Sequence, residues 1–378
     1  MNFNYSEDQQ AIQDVAVRMF RDLSGDEQIK AVYKQSTPLH NELWQQLAQA
    51  GLLGTPLPEQ YGGSEMGITE LCVILESQGT SVAPVPVLET VVECALPMAR
   101  FGSDALKQRV LPGVVSGECI LTAVRPYQGL QAKQPLQASA TDDGWVLNGH
   151  SGLVGYGPVA NGFLVTAQLD GENAWLGYVD AQADGIEVVS QRATSGESTS
   201  HLHFNNVQVA AENVLASADE AAAALAFQAQ RTFAAMAAIQ VGVLQEGLRR
   251  AADYTKERKQ FGRPLAGFQA VSQQVADGYM AIEALRSVYW RLLDVIDNGS
   301  DATEAQLAAH TCKFWICEAG HIAAHIFLHV HGGIGQDLDY PLHRFFSWAK
   351  KNELYLGTAQ DHNAALGKLI QENVEAVL

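Results

Sequence analysis

The stretch "YTKERKQFGRPLAGFQAVSQQVAD" gathers Arg258, Gln260 and Gln269 around a helix stop. A guanidinium and two amides are donors suited to a diphosphate and a polyol chain. The plainer reading is a helix end and turn, since Gly262 frees the backbone and Pro264 cannot continue a helix. A second stretch, "HVHGGIGQDLDYPLHR", sets Gly332, Gly333 and Gly335 at the end of a helical run. A glycine pair lets backbone approach a planar or phosphorylated ligand closely, and it also reads as a simple break before Pro341. It is not a dinucleotide fingerprint, because no strand precedes it. A third stretch, "KNELYLGTAQDHN", ends a helix at Leu356, and Gly357 suits a left-handed stop.

Other constellations exclude chemistry. His321, His325 and His329 recur at i, i+4 and i+8, with Glu318 three residues before the first. A di-iron site in a helical bundle needs a second Glu-x-x-His, which the chain lacks. No metal is therefore expected, and the histidines read as a packed or hydrogen-bonded face. There is no Gly-x-Ser-x-Gly, Walker loop or paired Cys-x-x-Cys. The five cysteines (Cys72, Cys94, Cys119, Cys312 and Cys317) are sparse and odd in number, which reads as reduced, mostly buried thiols.

The elements that must position these residues fall into three zones of the 378-residue chain. Residues 1–115 show apolar residues at helical spacing, opening with a capping box between Ser6 and Gln9. Residues 116–217 hold short β-branched and aromatic runs broken by Gly, Asp and Asn, which predicts a small barrel or sandwich. Residues 218–378 return to long helices. One begins near Ala218 and sets Phe233, Met236, Ile239, Val243 and Leu248 along one stripe. Others span Gln269–Asn298, Glu304–His331 and His343–Leu356, with a tail helix from Ala359. The expected fold class is α+β: a helical domain, a β domain and a four-helix bundle. A net charge of -18 argues against a nucleic-acid partner. No run approaches the ~18 apolar residues of a membrane span, and no signal peptide opens the chain, so a cytoplasmic protein is expected.

Taken together, "PEQYGG", "FGSDALKQRVLPGVVSGE", "RKQFGRPLAGFQAVSQQVAD", "HGGIG" before "DYPLHR", and "YLGT" near the end resemble the acyl-CoA dehydrogenase flavoproteins. The resemblance implies oxidation of the Cα–Cβ bond of an acyl-CoA thioester, with FAD as hydride acceptor and a carboxylate as base. In most members a glutamate stands where this chain has Leu356. Some members place the base before an arginine that resembles Arg231, and here that position is Gln230, an amide. The β domain departs as well. Val124 to Gln131 replace the usual Thr-Glu-Pro-x-x-Gly-Ser-Asp, and Leu153-Val154-Gly155 replace Trp-Ile-Thr beside the flavin ring.

The set that reaches a neighbour's FAD is largely kept: Arg258, Gln260, Phe261 and Gln269, with Gly332 and Gly333, and His329 in place of the usual glutamine. Thr358 and Gln360 match adenosine-side residues of the family. The resemblance thus implies one subunit of a heteromeric acyl-CoA dehydrogenase, lending FAD contacts to a homologous partner that holds the glutamate. Such complexes in the family handle bulky substrates such as steroid side chains, and dicarboxylic acyl-CoAs. One alternative is a self-sufficient enzyme with an unusual base, Glu89 in "VPVLETVVEC". A second is a non-enzymatic acyl-CoA or flavin binder or scaffold.

Overall fold

The computed structural model describes residues 5–126, 135–169 and 174–374. The first half of the chain forms α1 (Glu7–Leu23), α2 (Asp26–Tyr33), α3 (Asn41–Gln49), α4 (Ile68–Ser81), a π-helix (Leu88–Ala95), α5 (Leu96–Phe101) and α6 (Asp104–Val115). The strands follow: β1 (Leu121–Val124), β2 (Gln137–Thr141), β3 (Gly144–His150), β4 (Val154–Gly155), β5 (Gly162–Gln168), β6 (Ala174–Asp180), β7 (Ile186–Arg192), β8 (Ser198–Ala210) and β9 (Val214–Ser217). Then come α7 (Asp219–Glu257), β10 (Lys259–Gln260), β11 (Arg263–Pro264), α8 (Gln269–Asn298), α9 (Ala302–His331), α10 (Leu342–Leu354) and α11 (Ala359–Glu372).

These elements form two compact units: Met1–Ile29 with Ile68–Ala83 and Phe233–Leu378, and Lys30–Gly67 with Pro84–Thr232. The helical segment of residues 1–115 contributes to both. In the first unit, α1 starts from the expected capping box, with Gln9 N donating to Ser6 Oγ (3.2 Å) and Ser6 N to Gln9 Oε1 (2.9 Å). Helix α9 starts two residues before its expected Glu304, because Asp301 Oδ1 accepts the Glu304 N–H (2.8 Å) and caps it.

The single apolar stripe expected on α7 is too narrow. Every residue from Phe233 to Leu244 is buried, so this part of the helix is enclosed all round. Two glycines permit that. A Cβ on Gly242 would stand 2.1 Å from Glu76 O, and one on Gly79 2.2 Å from Ile239 O, so α4 and α7 cross with backbones touching. Next to this crossing Arg286 Nη1 meets Glu76 Oε1 at 3.3 Å. Burial pushes the Glu76 carboxyl up, against the opposing pull of Arg286.

The second unit holds the last turn of α2, then α3, α5, α6, the π-helix and a sheet ordered β4-β8-β3-β2-β5-β6-β9, with β1 added parallel to β5 and β7 antiparallel to β8. The sheet is open rather than a closed barrel, its path ending at β4 and β9. Its core gathers Leu147, Phe163, Trp175, Leu202, Phe204 and Val209 among others. Strand β8 keeps its apolar side inward by slipping phase. Leu202 and Phe204 face in, Asn206 turns left-handed (φ 53°), and Val207 and Val209 face in again. All five cysteines are free thiols, four of them buried. Among the described residues no helix is long and apolar enough to cross a membrane.

Candidate functional site

The turn after α10 is built from the helix end outward. The expected stop at Gly357 comes earlier: α10 ends at Leu354, Tyr355 is extended, and Leu356 itself is left-handed at φ 61°, followed by Gly357 at φ 108°. A left-handed leucine costs about 1–2 kcal/mol, so the surroundings must impose it. They do so through Lys313, a fully buried lysine on α9. Its Nζ donates to Asn352 O (3.3 Å), Glu353 O (3.1 Å) and Gly357 O (2.9 Å), and stands 3.1 Å from Cys317 Sγ. Two of those carbonyls lie in the last turn of α10, where the helix leaves acceptors unpaired and favours a cation. Burial pushes the Lys313 amine down and the Cys317 thiol up.

The far side of the turn is held by a histidine pair. His362 Nε2 lies 3.0 Å from Leu356 O, and His310 Nδ1 lies 2.9 Å from His362 Nδ1. A carbonyl only accepts, so His362 carries its proton on Nε2. Its bare Nδ1 then accepts from His310 Nδ1–H. Burial lowers the pKa of both rings, which favours this neutral arrangement. Thr358 caps α11 in a capping box with Asp361, its Oγ1 donating to Asp361 Oδ2 (2.8 Å), while Gln360 is exposed on the first turn.

The residues expected to contact FAD form an exposed set. Strands β10 and β11 pair as a hairpin whose two loop residues, Phe261 (φ 51°) and Gly262 (φ 79°), are both left-handed, the signature of a type I′ turn. The turn displays Phe261 at 93% exposure, its edge toward Phe268 at 6.3 Å. Arg263 stacks over Phe268 at 4.0 Å. Arg258, Gln260 and Gln269 are exposed, and α8 opens without a side-chain cap. His329, Gly332 and Gly333 are exposed too, and a Cβ on either glycine would meet nothing within 4 Å. Backbone here is open to a ligand, which fits a cofactor held partly by guanidinium and amide donors. His321 and His325 are exposed yet form the expected packed, hydrogen-bonded face: their rings lie 4.5 Å apart, His325 meets Phe346 edge-on at 5.2 Å, and His321 Nδ1 is 3.2 Å from Lys350 Nζ and 3.4 Å from Glu353 Oε1. Among the described residues no group of three or more His, Cys, Asp or Glu side chains is placed to hold a metal ion.

In the second unit Glu89 sits on the π-helix, 7% exposed, and a Cβ on Gly155 would stand 3.4 Å from its Oε1. One turn on, Glu93 pairs with Arg125, Nη2 to Oε1 at 3.0 Å, and Gln228 Nε2 donates to Glu93 O (2.6 Å). Arg125 takes the place of the middle residue of the resembled Thr-Glu-Pro run, not of the base, and Tyr127 to Gln131 lie outside the described residues. Thr122 Oγ1 donates to Gly155 O (2.7 Å), Val154 is buried, and Leu153 is 55% exposed. Gln230 is half-buried on α7, and Arg231 next to it stacks on Phe227 at 3.4 Å. Sequence reasoning missed Glu93, Lys313, Cys317, His310 and His362. Only Lys313 gave a signal, a single cation inside the apolar run of α9.

The Acyl-CoA dehydrogenase, N-terminal domain model matches residues 6–118, and the Acyl-CoA dehydrogenase, C-terminal domain model matches residues 202–370. Acyl-CoA dehydrogenase FadE27 of Mycobacterium tuberculosis is 38% identical over 336 residues, 88% of each chain. A chain of the ChsE4-ChsE5 complex from Mycobacterium tuberculosis superimposes with a TM-score of 0.92 at 34% identity, covering 99% of this chain and 100% of that one. A chain of the Tcur3481-Tcur3483 steroid ACAD gives 0.89 at 37% identity, covering 98% and 99%.

Proposed function

The chain belongs to the acyl-CoA dehydrogenase family, and on that premise we propose that it is the non-catalytic subunit of a FAD-dependent heteromeric acyl-CoA dehydrogenase. It lends FAD contacts to a homologous subunit that holds the carboxylate base. The observation that carries this reading is Leu356. The turn at the family's base position is fully built and internally braced, yet it presents an alkyl side chain that cannot accept a proton. The other family position holds Gln230, an amide, and Leu153 and Gly155 offer no hydroxyl to a flavin ring. Arg258, Gln260, Phe261, Gln269, His329, Gly332 and Gly333 by contrast stand exposed and free to face a partner's cofactor. FAD, when bound, accepts the substrate's β-hydrogen as hydride.

In this reading Arg258 and the amides of Gln260 and Gln269 hold the diphosphate and ribityl chain, and Thr358 and Gln360 serve the adenosine side. The two structural relatives are each named for a pair of components, and one is a steroid ACAD. We therefore read the substrate as an acyl-CoA with a bulky, steroid-like acyl group, processed in the cytoplasm. The test is the absorption spectrum of the purified chain, alone and co-expressed with a homologous glutamate-bearing subunit. Colourless or inert protein alone, becoming yellow and active only in the mixed complex, is expected. Yellow protein alone that bleaches anaerobically with an acyl-CoA would overturn it.

One observation favours a second reading, a self-sufficient enzyme: Glu89 is a buried carboxylate against Gly155, the strand position that borders the flavin ring in the family. Under that reading Glu89→Gln abolishes desaturation and leaves FAD bound. Unchanged turnover removes Glu89 from consideration.

A further inference from the structure

His331, the last residue of α9, lies directly before Gly332 and is only 4% exposed. Three elements meet on its ring. Its Nδ1 is 2.7 Å from Phe327 O, an acceptor, so Nδ1 carries the proton. Its bare Nε2 then accepts the Tyr340 hydroxyl at 3.1 Å, from the far end of the loop that Gly332 begins. Its face stacks on Tyr254 of α7, ring centroids 4.4 Å apart and planes 21° from parallel. Tyr254 O in turn accepts the Arg258 N–H at 2.9 Å, so the stack reaches the base of the β10–β11 hairpin.

We propose that His331 is a positioning residue that sets the spacing between the Arg258–Gln269 segment and the Gly332–Gly333 loop, the two halves of the surface read above as lending contacts to FAD. The inference rests on that reading. Neutral His331 fits only one arrangement, donor to Phe327 and acceptor from Tyr340, so the loop closes at both ends on one rigid ring. Without the ring the two halves would have to be ordered by the cofactor itself, which weakens its retention.

The test uses the mixed complex with FAD, and compares wild type with His331→Phe, Tyr340→Phe and Arg258→Ala. His331→Phe keeps the stack on Tyr254 and deletes both hydrogen bonds, and Tyr340→Phe deletes one hydroxyl in case the first variant fails to assemble. Both are expected to assemble like wild type; Tyr340→Phe should raise the FAD dissociation constant about tenfold, the equivalent of the one hydrogen bond the ligand must now offset, and His331→Phe, which loses two, at least as much. The flavin absorbance retained after gel filtration reads this, and a purely structural role would lower the unfolding midpoint without moving it. If Arg258→Ala releases FAD while both ring variants retain it at the wild-type level, the positioning role is wrong and the shared-site reading stands. If Arg258→Ala also retains FAD at the wild-type level, the shared-site reading fails, and this inference with it.

Discussion

Replacing Lys313 by methionine keeps an apolar stem of similar length and removes the ammonium that braces the Leu356 turn. Asn352 O and Gly357 O lose that donor, while Glu353 O keeps Cys317 Sγ at 3.1 Å. A buried carbonyl left without its partner costs about 1–3 kcal/mol, so two give roughly 2–6 kcal/mol. Removing a cation that burial already disfavours offsets part of this, leaving a net loss of about 3 kcal/mol. Urea unfolding followed by the fluorescence of Trp348, buried on α10, reads the loss. Amide exchange at Leu356 and Gly357 should quicken together with it, because the turn is then held from the His362 side alone. Burial lowers the folded-state pKa of Lys313 below the ordinary lysine value, so between the two values the unfolded chain binds the extra proton. Wild-type stability therefore gains with rising pH across that interval, and the Lys313→Met protein lacks this gain. A loss under about 0.5 kcal/mol, with exchange at the turn unchanged, would refute the bracing argument.

Three further outcomes test other parts of the structure. Phe261→Ser removes a side chain that is 93% exposed, so the isolated chain should unfold within about 0.5 kcal/mol of wild type while the mixed complex loses flavin absorbance on gel filtration. A large stability loss in the isolated chain would mean that Phe261 packs internally. Glu76 has its folded-state pKa raised by burial, so its stability contribution is complete below the ordinary glutamate value and is lost as pH rises through the raised value. Glu76→Gln should flatten that segment of the stability–pH curve, and an unchanged slope sinks the assignment. Gly242→Ala puts a methyl 2.1 Å from Glu76 O at the α4–α7 crossing and should cost about 3 kcal/mol in urea unfolding, whereas a neutral substitution would show that the helices can separate freely.

Much of the fold was legible because its signals are short-range. The capping box at Ser6 and Gln9, the span of α8 from Gln269 to Asn298, and the start of α11 at Ala359 all follow from caps and periodicity within one or two turns. The change from helical to strand character near residue 116 was equally visible, since turn residues and β-branched runs announce it locally. Around the hairpin only the helix stop at Gly262 and Pro264, the donors Arg258, Gln260 and Gln269, and the glycine pair were local signals; Phe261 and His329 were named through the family resemblance alone.

What sequence could not decide lies in contacts made across long separations. Helix α10 ends at Leu354, not Leu356, because Lys313, 44 residues before Gly357, takes the carbonyls a longer helix would have kept. Arg125 reads as an odd charge until it meets Glu93, 32 residues away on a π-helix. The tautomers of His310 and His362 are fixed only because 52 residues of chain fold them to within 2.9 Å, with Leu356 O beyond. The sequence by itself determined the order of helical and strand-rich zones and that position 356 carries no proton acceptor, but not the π-helix at Leu88–Ala95 or the hairpin of β10 and β11. Only the tertiary structure decided that Leu356 is forced left-handed and which buried groups hold it there. Propensity and caps act over a few residues, whereas a buried charge or acceptor must find its partner wherever the fold brings one.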